Sequence, residues 1–292
     1  NRLVPNAMEP RSSRAEYHRG NDEYILHTTS QNPHLTRLLI SAFVLGIPEN
    51  KLTVIAPDVG GGFGSKIYHY GEEALVLAAA KKLNRPVTWT ADRTEAFLTD
   101  AHGRDHVTTI ELALDKDGNF LAFRTETLAN VGAYLSNFST ATPTFLHGTL
   151  MAGNYTVPNV YVNVKAVFTN TAPVDAYRGA GRPEATYSLE RVIDMAAREM
   201  GMDPIALRRK NFIKPDQYPY ASAAGLEYDS GNYDALMDKM EAVGDLAGFA
   251  DRRKASEAKG LLRGLGVNAY IEACGIAPSN LVGVLGSRVG LY

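Results

Sequence analysis

Gly60-Gly61-Gly62-Phe63-Gly64-Ser65-Lys66 sets four glycines in five positions between an apolar run and an Ala/Leu-rich segment. Backbone amides exposed in such a loop ahead of a helix can cradle an anion. The spacing fails both phosphate templates, however. A Walker A loop needs Lys-Ser/Thr after its last glycine, but Ser65 stands five residues after Gly60 and Lys66 is followed by Ile67. A dinucleotide fingerprint needs a third glycine where Ser65 stands. The other reading is a tight turn, although each glycine costs about 0.5–1 kcal/mol relative to Ala. A second loop, Ala176-Tyr177-Arg178-Gly179-Ala180-Gly181-Arg182, puts a guanidinium beside a glycine. There it can fork onto an anionic oxygen or pair with Glu184 or Glu190. Gln31, within Thr28-Thr29-Ser30-Gln31-Asn32-Pro33-His34, offers a donor and an acceptor before a helix start, either as a contact or as part of a cap.

Both glycine loops fall on one plan, strand, loop, helix. Residues 24–28 read as a strand, and Asn32-Pro33 opens a helix with Leu35, Leu38, Leu39, Ala42 and Leu45 on one face, closed by Pro48. Residues 52–56 form a short β run before the first loop. A helix then starts near His69, with Glu72 and Glu73 early and Lys81 and Lys82 late, as the helix dipole favours. Residues 87–90 are a strand, 107–114 and 120–128 a hairpin, and 160–168 a strand leading to the second loop. Pro183 starts the helix after that loop and Gly201 follows its end. Asp203-Pro204 caps a short helix, 233–243 and 246–259 are helical, and 265–271 reads as strand. The fold class is α+β (mixed α/β), mixed sheets with packed helices. No repeat or linker divides residues 1–292, so a single unit with room for two lobes is expected.

Composition narrows the function. The 292 residues are 45% hydrophobic and 21% charged, with 30 basic against 32 acidic side chains and a net charge of −2. Nothing in that balance draws the chain to nucleic acid or anionic lipid. The longest apolar run, residues 74–80, is far below the roughly 20 residues that span a bilayer, so no transmembrane segment and a cytoplasmic location are expected. One cysteine, Cys274, cannot build a disulfide, a four-cysteine zinc site or an iron–sulfur cluster within this chain. No metal-ligating cluster is assigned. The ends, Asn-Arg-Leu-Val-Pro and Gly-Leu-Tyr, suggest a fragment truncated on both sides.

Taken in order and spacing, TTSQNPH, GGGFGSK and AYRGAGRPEA, with Met8-Glu9-Pro10-Arg11 upstream, resemble the molybdenum-cofactor-binding large subunit of the xanthine dehydrogenase and aldehyde oxidase family. Within that family the chain most resembles the cysteine-lacking, AYRGAGR-bearing form of the carbon monoxide dehydrogenase large subunit. The resemblance covers nearly the whole chain, as the first of two cofactor-binding halves. It implies that Gln31 approaches the oxygens on molybdenum and that Gly61, Gly62, Phe63 and Gly64 line the metal and the pterin. It also implies that Tyr177, Arg178 and Gly179 belong to the second loop beside the metal. The cofactor implied is molybdopterin, in its cytosine dinucleotide form. Iron–sulfur and FAD centres would sit on partner subunits in a dimer of heterotrimers acting on a small-molecule substrate.

Two departures shape the expectation. Where copper-containing members carry a cysteine after the arginine, this chain has Gly179, so no copper is expected. Where purine-oxidising members carry a glutamate after the first loop, it has Ile67, which favours a small or apolar substrate. The family's catalytic glutamate belongs to the distal half, so no catalytic residue is assigned here. Glu72 and Glu73 are assigned to the helix dipole, Glu272 to an ordinary strand or loop position, and His34, His69 and His102 to surface or capping roles. The expected function is a carbon monoxide dehydrogenase-like molybdenum hydroxylase. The alternatives are an aldehyde or N-heterocycle hydroxylase and, from another class, a non-catalytic nucleotide or phosphate binder.

Overall fold

The computed structural model describes residues 2–273, so Cys274 lies outside the described residues. Helices and strands are mixed, as expected. The chain divides into two compact units: Asn1–Val107 with Thr127–His147 and Val164–Pro183, and Thr108–Glu126 with Gly148–Asn163 and Glu184–Tyr292.

The first unit is built on a four-stranded sheet of β1 (Ser12–His18), β2 (Glu23–Thr28), β3 (Leu52–Ile55) and β4 (Val87–Thr90), in the order β3-β2-β1-β4. β1 is antiparallel to β2 and β4, with Ser13 opposite Thr28 and Trp89. β2 and β3 are parallel, and a parallel pair needs a crossover. That crossover is α1 (Pro33–Leu39), which widens into a π-helical turn, Ile40–Leu45. The widening rotates the register. Thr36, Ile40 and Ser41 are therefore the buried positions, and Ala42 is exposed, which corrects the expected leucine face. α2 (Gly71–Leu83) lays Val76, Leu77 and Ala80 on the sheet against Ala15, Tyr24, Leu26 and Leu52. α3 (Arg93–Thr99) is capped by Asp92, whose Oδ1 accepts the Glu95 N–H at 2.6 Å.

β5 (His106–Leu114), β6 (Phe120–Gly132) and β7 (Val160–Phe168) form a three-stranded sheet in that order. Asp115 closes the turn between β5 and β6, its Oδ1 accepting the N–H groups of Asp117 and Asn119 at 3.0 and 2.9 Å.

The second unit's core gathers on α4 (Arg182–Met200). Ala185, Leu189, Ile193 and Ala197 recur every four residues, and Leu189, Ile193 and Ala197 cluster with Phe120, Phe123, Tyr155 and Phe212. Each large apolar side chain buried this way contributes roughly 1.5–3 kcal/mol. Gly201, at φ +67, follows the helix end. Asp203 starts α5 (Pro204–Asn211) by accepting the Ile205 and Ala206 N–H groups at 2.9 and 2.8 Å. A short pair, β8 (Tyr220–Ala221) and β9 (Glu227–Tyr228), precedes α6 (Tyr233–Val243) and α7 (Phe249–Glu257).

The strand expected at 265–271 is absent. Its period-two alternation is real, because Val267, Ala269 and Ile271 pack inward. Among the described residues no strand pairs with it, though: the Ala269 N–H goes to the Glu190 carboxylate at 3.0 Å instead of a neighbouring backbone.

Candidate functional site

The three sequence motifs meet in the first unit. Gln31 donates its backbone N–H to the Lys66 carbonyl at 2.8 Å, and its side-chain Oε1 accepts the N–H groups of Gly64 and Lys66 at 3.0 and 3.3 Å. Two donors on one atom settle which end of the carboxamide is oxygen. The NH2 end is therefore the projecting group, and it has no protein acceptor among the described residues.

The glycines are required by neighbours within the protein. A Cβ on Gly62 would fall on the Gln31 carboxamide, and one on Gly64, at φ +107, would strike the Ala176 carbonyl. Gly60 lies against the Glu9 side chain, and Gly61 against the Phe63 ring, 2.8 Å from where its Cβ would be. The side chains are thus excluded by packing that brings Gln31 and both loops together.

The loop amides are largely satisfied. Gly60 N–H donates to Glu9 Oε2 at 2.8 Å, Gly61 to the Val59 carbonyl at 2.8 Å, Ser65 to the Gly62 carbonyl at 3.0 Å and Ile67 to the Gly64 carbonyl at 3.2 Å. Lys66 is 3% exposed and its Nζ is bound to Glu9 at 2.7 Å. Burial alone would raise the Glu9 carboxyl, but hydrogen bonds from Lys66 and Gly60 outweigh it and hold Glu9 below its ordinary range. A phosphate would find neither a free lysine nor a run of free amides here. Ile67, the expected substrate-side residue, is half-buried at the end of this turn.

A buried cation stabilises the loop from behind. Arg11 binds Asp100 at 2.7 Å and Glu72 at 3.1 Å, and its guanidinium lies 3.6 Å from the centre of the Tyr70 ring. Tyr70 donates its hydroxyl to the Ser65 carbonyl at 2.7 Å, and burial pushes its phenol well up. Glu73 accepts the Tyr70 N–H at 3.2 Å and meets His69 at 2.8 Å. Both glutamates therefore do more than complement the helix dipole.

The second loop is tied to the first by two main contacts. Arg178 N–H donates to the Phe63 carbonyl at 2.9 Å, and the Tyr68 hydroxyl donates to the Ala176 carbonyl at 3.0 Å. Arg104 adds a clamp the sequence did not reveal, donating to the carbonyls of Tyr177 and Arg178 at 3.3 and 2.8 Å. Gly179, at φ +101, has the Pro183 ring where a Cβ would be, so a longer side chain at this position needs a different loop conformation. The Arg178 guanidinium is exposed, 5.7 Å from the Phe63 ring centre, and has no carboxylate partner among the described residues. Glu190, one of its anticipated partners, is committed to Arg208 at 2.8 Å. Phe63 is 42% exposed and sits at φ +53, a conformation unusual for a bulky residue. The outcome is two uncommitted donors, on Gln31 and Arg178, tied through Gly64 and the Phe63 carbonyl to one exposed aromatic ring. Such a set suits a flat ligand carrying oxygen acceptors.

Asp175 anchors the second loop from inside. It is 1% exposed, and its carboxylate accepts the Ala176 and Phe138 N–H groups at 2.6 and 3.0 Å together with the Ser136 hydroxyl. His102, buried rather than at the surface as expected, accepts the Asp175 N–H on its carbonyl at 2.8 Å. Burial pushes the Asp175 carboxyl from its ordinary 3.8 up to about 7, against the pull of the two backbone N–H groups. A carboxyl raised on folding stabilises fully below its unfolded value and loses that contribution as pH rises through about 7. Wild-type unfolding free energy is therefore expected to fall between about pH 4 and 7 relative to Asp175→Asn, by up to about 4 kcal/mol. Urea titrations of both proteins across that window check this; parallel curves would refute it.

Residues 1–212 match the molybdopterin cofactor-binding domain family. The chain is 38% identical over 274 residues to the carbon monoxide dehydrogenase large chain of Hydrogenophaga pseudoflava, covering 91% of this chain and 33% of that protein. Its fold is similar to that of quinoline 2-oxidoreductase from Pseudomonas putida 86, with a TM-score of 0.84 at 34% identity, covering 89% of this chain and 33% of that one. It is also similar to carbon monoxide dehydrogenase from Oligotropha carboxidovorans, with a TM-score of 0.79 at 38% identity over 89% of this chain and 32% of that one. The chain thus spans about a third of the length of these relatives.

Proposed function

We propose, from the premise that the chain belongs to the molybdopterin cofactor-binding domain family, that residues 1–292 form the first cofactor-binding half of a molybdenum-dependent hydroxylase large subunit of the carbon monoxide dehydrogenase type. The observation that carries the reading is the Gln31 carboxamide. Its oxygen is spent on the Gly64 and Lys66 amides, so its NH2 faces outward in the same construction as the uncommitted Arg178 guanidinium. These donors fit a pterin-bound oxo-metal group, which presents oxygens and a flat ring system.

In this reading Gln31 and Arg178 donate to oxygens, Phe63 supplies an aromatic wall, and the backbones of Gly61, Gly62, Gly64, Tyr177 and Gly179 line the site. When bound, the molybdopterin supplies two-electron oxidation of the substrate with oxygen derived from water. The protein's part is to orient the group, to offer Ile67 on the substrate side and to keep donors in place before the substrate arrives. The distal half would supply the catalytic glutamate. Iron–sulfur and FAD partner subunits, a cytosine dinucleotide pterin, heterotrimers paired as dimers and a cytoplasmic location belong to the same proposal. Among the described residues, no helix is long and apolar enough to cross a membrane.

A second reading, N-heterocycle hydroxylation, is favoured by two observations. Gly179 offers no thiolate, and a quinoline 2-oxidoreductase is among the similar structures, at 34% identity. Assaying the purified complex with carbon monoxide, an aldehyde and quinoline, alongside molybdenum quantification by mass spectrometry, separates the readings. One molybdenum per large subunit with carbon monoxide turnover supports the first. Quinoline turnover without carbon monoxide turnover supports the second, and a metal-free complex sinks both.

A further inference from the structure

We propose that Arg104 is the positioning residue that sets where Arg178 points. The inference rests on the reading of Arg178 as a donor to the bound group. Arg104 lies 74 residues before Arg178 and grips two consecutive carbonyls, Tyr177 at 3.3 Å and Arg178 at 2.8 Å. Its guanidinium also stacks on the Tyr177 ring, 4.8 Å from the centre. Only a planar fork reaches two acceptors while lying over a ring, so lysine is no equivalent here.

The consequence falls on one residue. The Arg178 N–H is held by the Phe63 carbonyl and the Arg178 carbonyl is held by Arg104, so the peptide groups on both sides of its Cα are fixed. Only side-chain torsions remain free. Arg178 can then present its guanidinium from a set origin, without an acid to hold it.

The clamp is kept in an unfavourable conformation. Arg104 and Asp105 are consecutive non-glycine residues in the left-handed region, at φ 67 and 72. Asn130 holds that turn, donating its side-chain NH2 to Asp105 Oδ2 at 2.7 Å and its backbone N–H to the Asp105 carbonyl at 3.1 Å. Gly103 just before it leaves room for Tyr177, whose ring Cγ would lie 3.1 Å from an added Cβ. Strain maintained by surrounding contacts at a site-facing loop points to a positioning role.

A double-mutant cycle in the full heterotrimeric complex tests this, using R104A, R178A and R104A/R178A with whichever of carbon monoxide or quinoline the wild type oxidises. Molybdenum content and the molybdenum EPR signal after partial dithionite reduction are measured beside kcat. Each single variant is expected to lower kcat at least about ten-fold, the double variant to stay within about two-fold of R178A, and the EPR signal of R104A to move toward that of R178A. Losses that multiply in the double variant, or a wild-type EPR signal in R104A, overturn the proposal. If R104A fails to assemble, R104K replaces it and the same two outcomes decide. Wild-type kcat and EPR in R178A would instead overturn the reading of Arg178 itself.

Discussion

Gly64→Ala is expected to cut the molybdenum content of the full-length subunit at least about ten-fold while leaving its far-UV circular dichroism unchanged. At φ +107 any L side chain is strained, at roughly 1–3 kcal/mol, and here the added methyl also meets the Ala176 carbonyl, a backbone atom with little freedom to retreat. Relief requires the two loops to part. That would break the Gly64 N–H bond to Gln31 Oε1 and the Arg178 N–H bond to the Phe63 carbonyl, each worth about 1 kcal/mol. The larger effect is geometric: with Gly64 withdrawn, the Gln31 carboxamide loses one of the two donors that direct its NH2 outward. Gly71→Ala is the matched control, since nothing lies within 4 Å of its Cβ position. It is expected to load molybdenum as the wild type does. Equal loading in Gly64→Ala would show that the junction of the loops is not part of the cofactor site.

This junction marks the boundary between what local sequence encodes and what it does not. The loops were readable as motifs, because glycine clusters and an Arg-Gly pair have few ordinary uses. Their partners were not. Lys66 binds Glu9 across 57 residues, Arg11 binds Asp100 across 89, and Arg104 reaches Arg178 across 74. No periodicity marks such pairs, since each residue alone looks like a solvated charge. The glycine cluster has a related gap: it signalled close approach, but local sequence did not show that Glu9, Phe63, Gln31 and Ala176 are among what approaches.

The same limit appears in the fold. α4 was legible because Pro183 at its start and Gly201 past its end agree, and Asp203 announced α5 by its type and place. β1 was not, because Ser-Ser-Arg-Ala-Glu-Tyr-His carries little β signal, yet it occupies an interior place in the four-stranded sheet. Its inward positions, Ser13 and Ala15, are small, and the sheet accepts them because Thr28 hydrogen-bonds Ser13 at 2.9 Å and α2 covers Ala15. Tertiary pairing overrode local propensity there.

Arg208→Met is expected to destabilise the full-length subunit by about 3–5 kcal/mol, the usual consequence of leaving one partner of a buried ion pair uncompensated. Arg208 is 0% exposed, and binds Glu190 at 2.8 Å and Asp194 at 2.9 Å. Burial would lower its basicity, but the charge of Glu190 outweighs this and raises it, so the guanidinium stays charged. Glu190 also accepts the Tyr155 hydroxyl at 2.5 Å and the Ala269 N–H at 3.0 Å, so it links α4, the core aromatics and the extended segment at 269. Methionine fills much of the arginine's volume, which isolates the lost charge from a cavity. If the cost is the orphaned carboxylate, Glu190→Gln in the same chain is expected to recover about half of it, because a neutral amide oxygen can still accept one of those two donors. Urea unfolding followed by tryptophan fluorescence and circular dichroism reads both variants. A loss below about 1 kcal/mol in Arg208→Met, or no recovery in the double variant, would mean that packing rather than charge pairing holds this part of the second unit together.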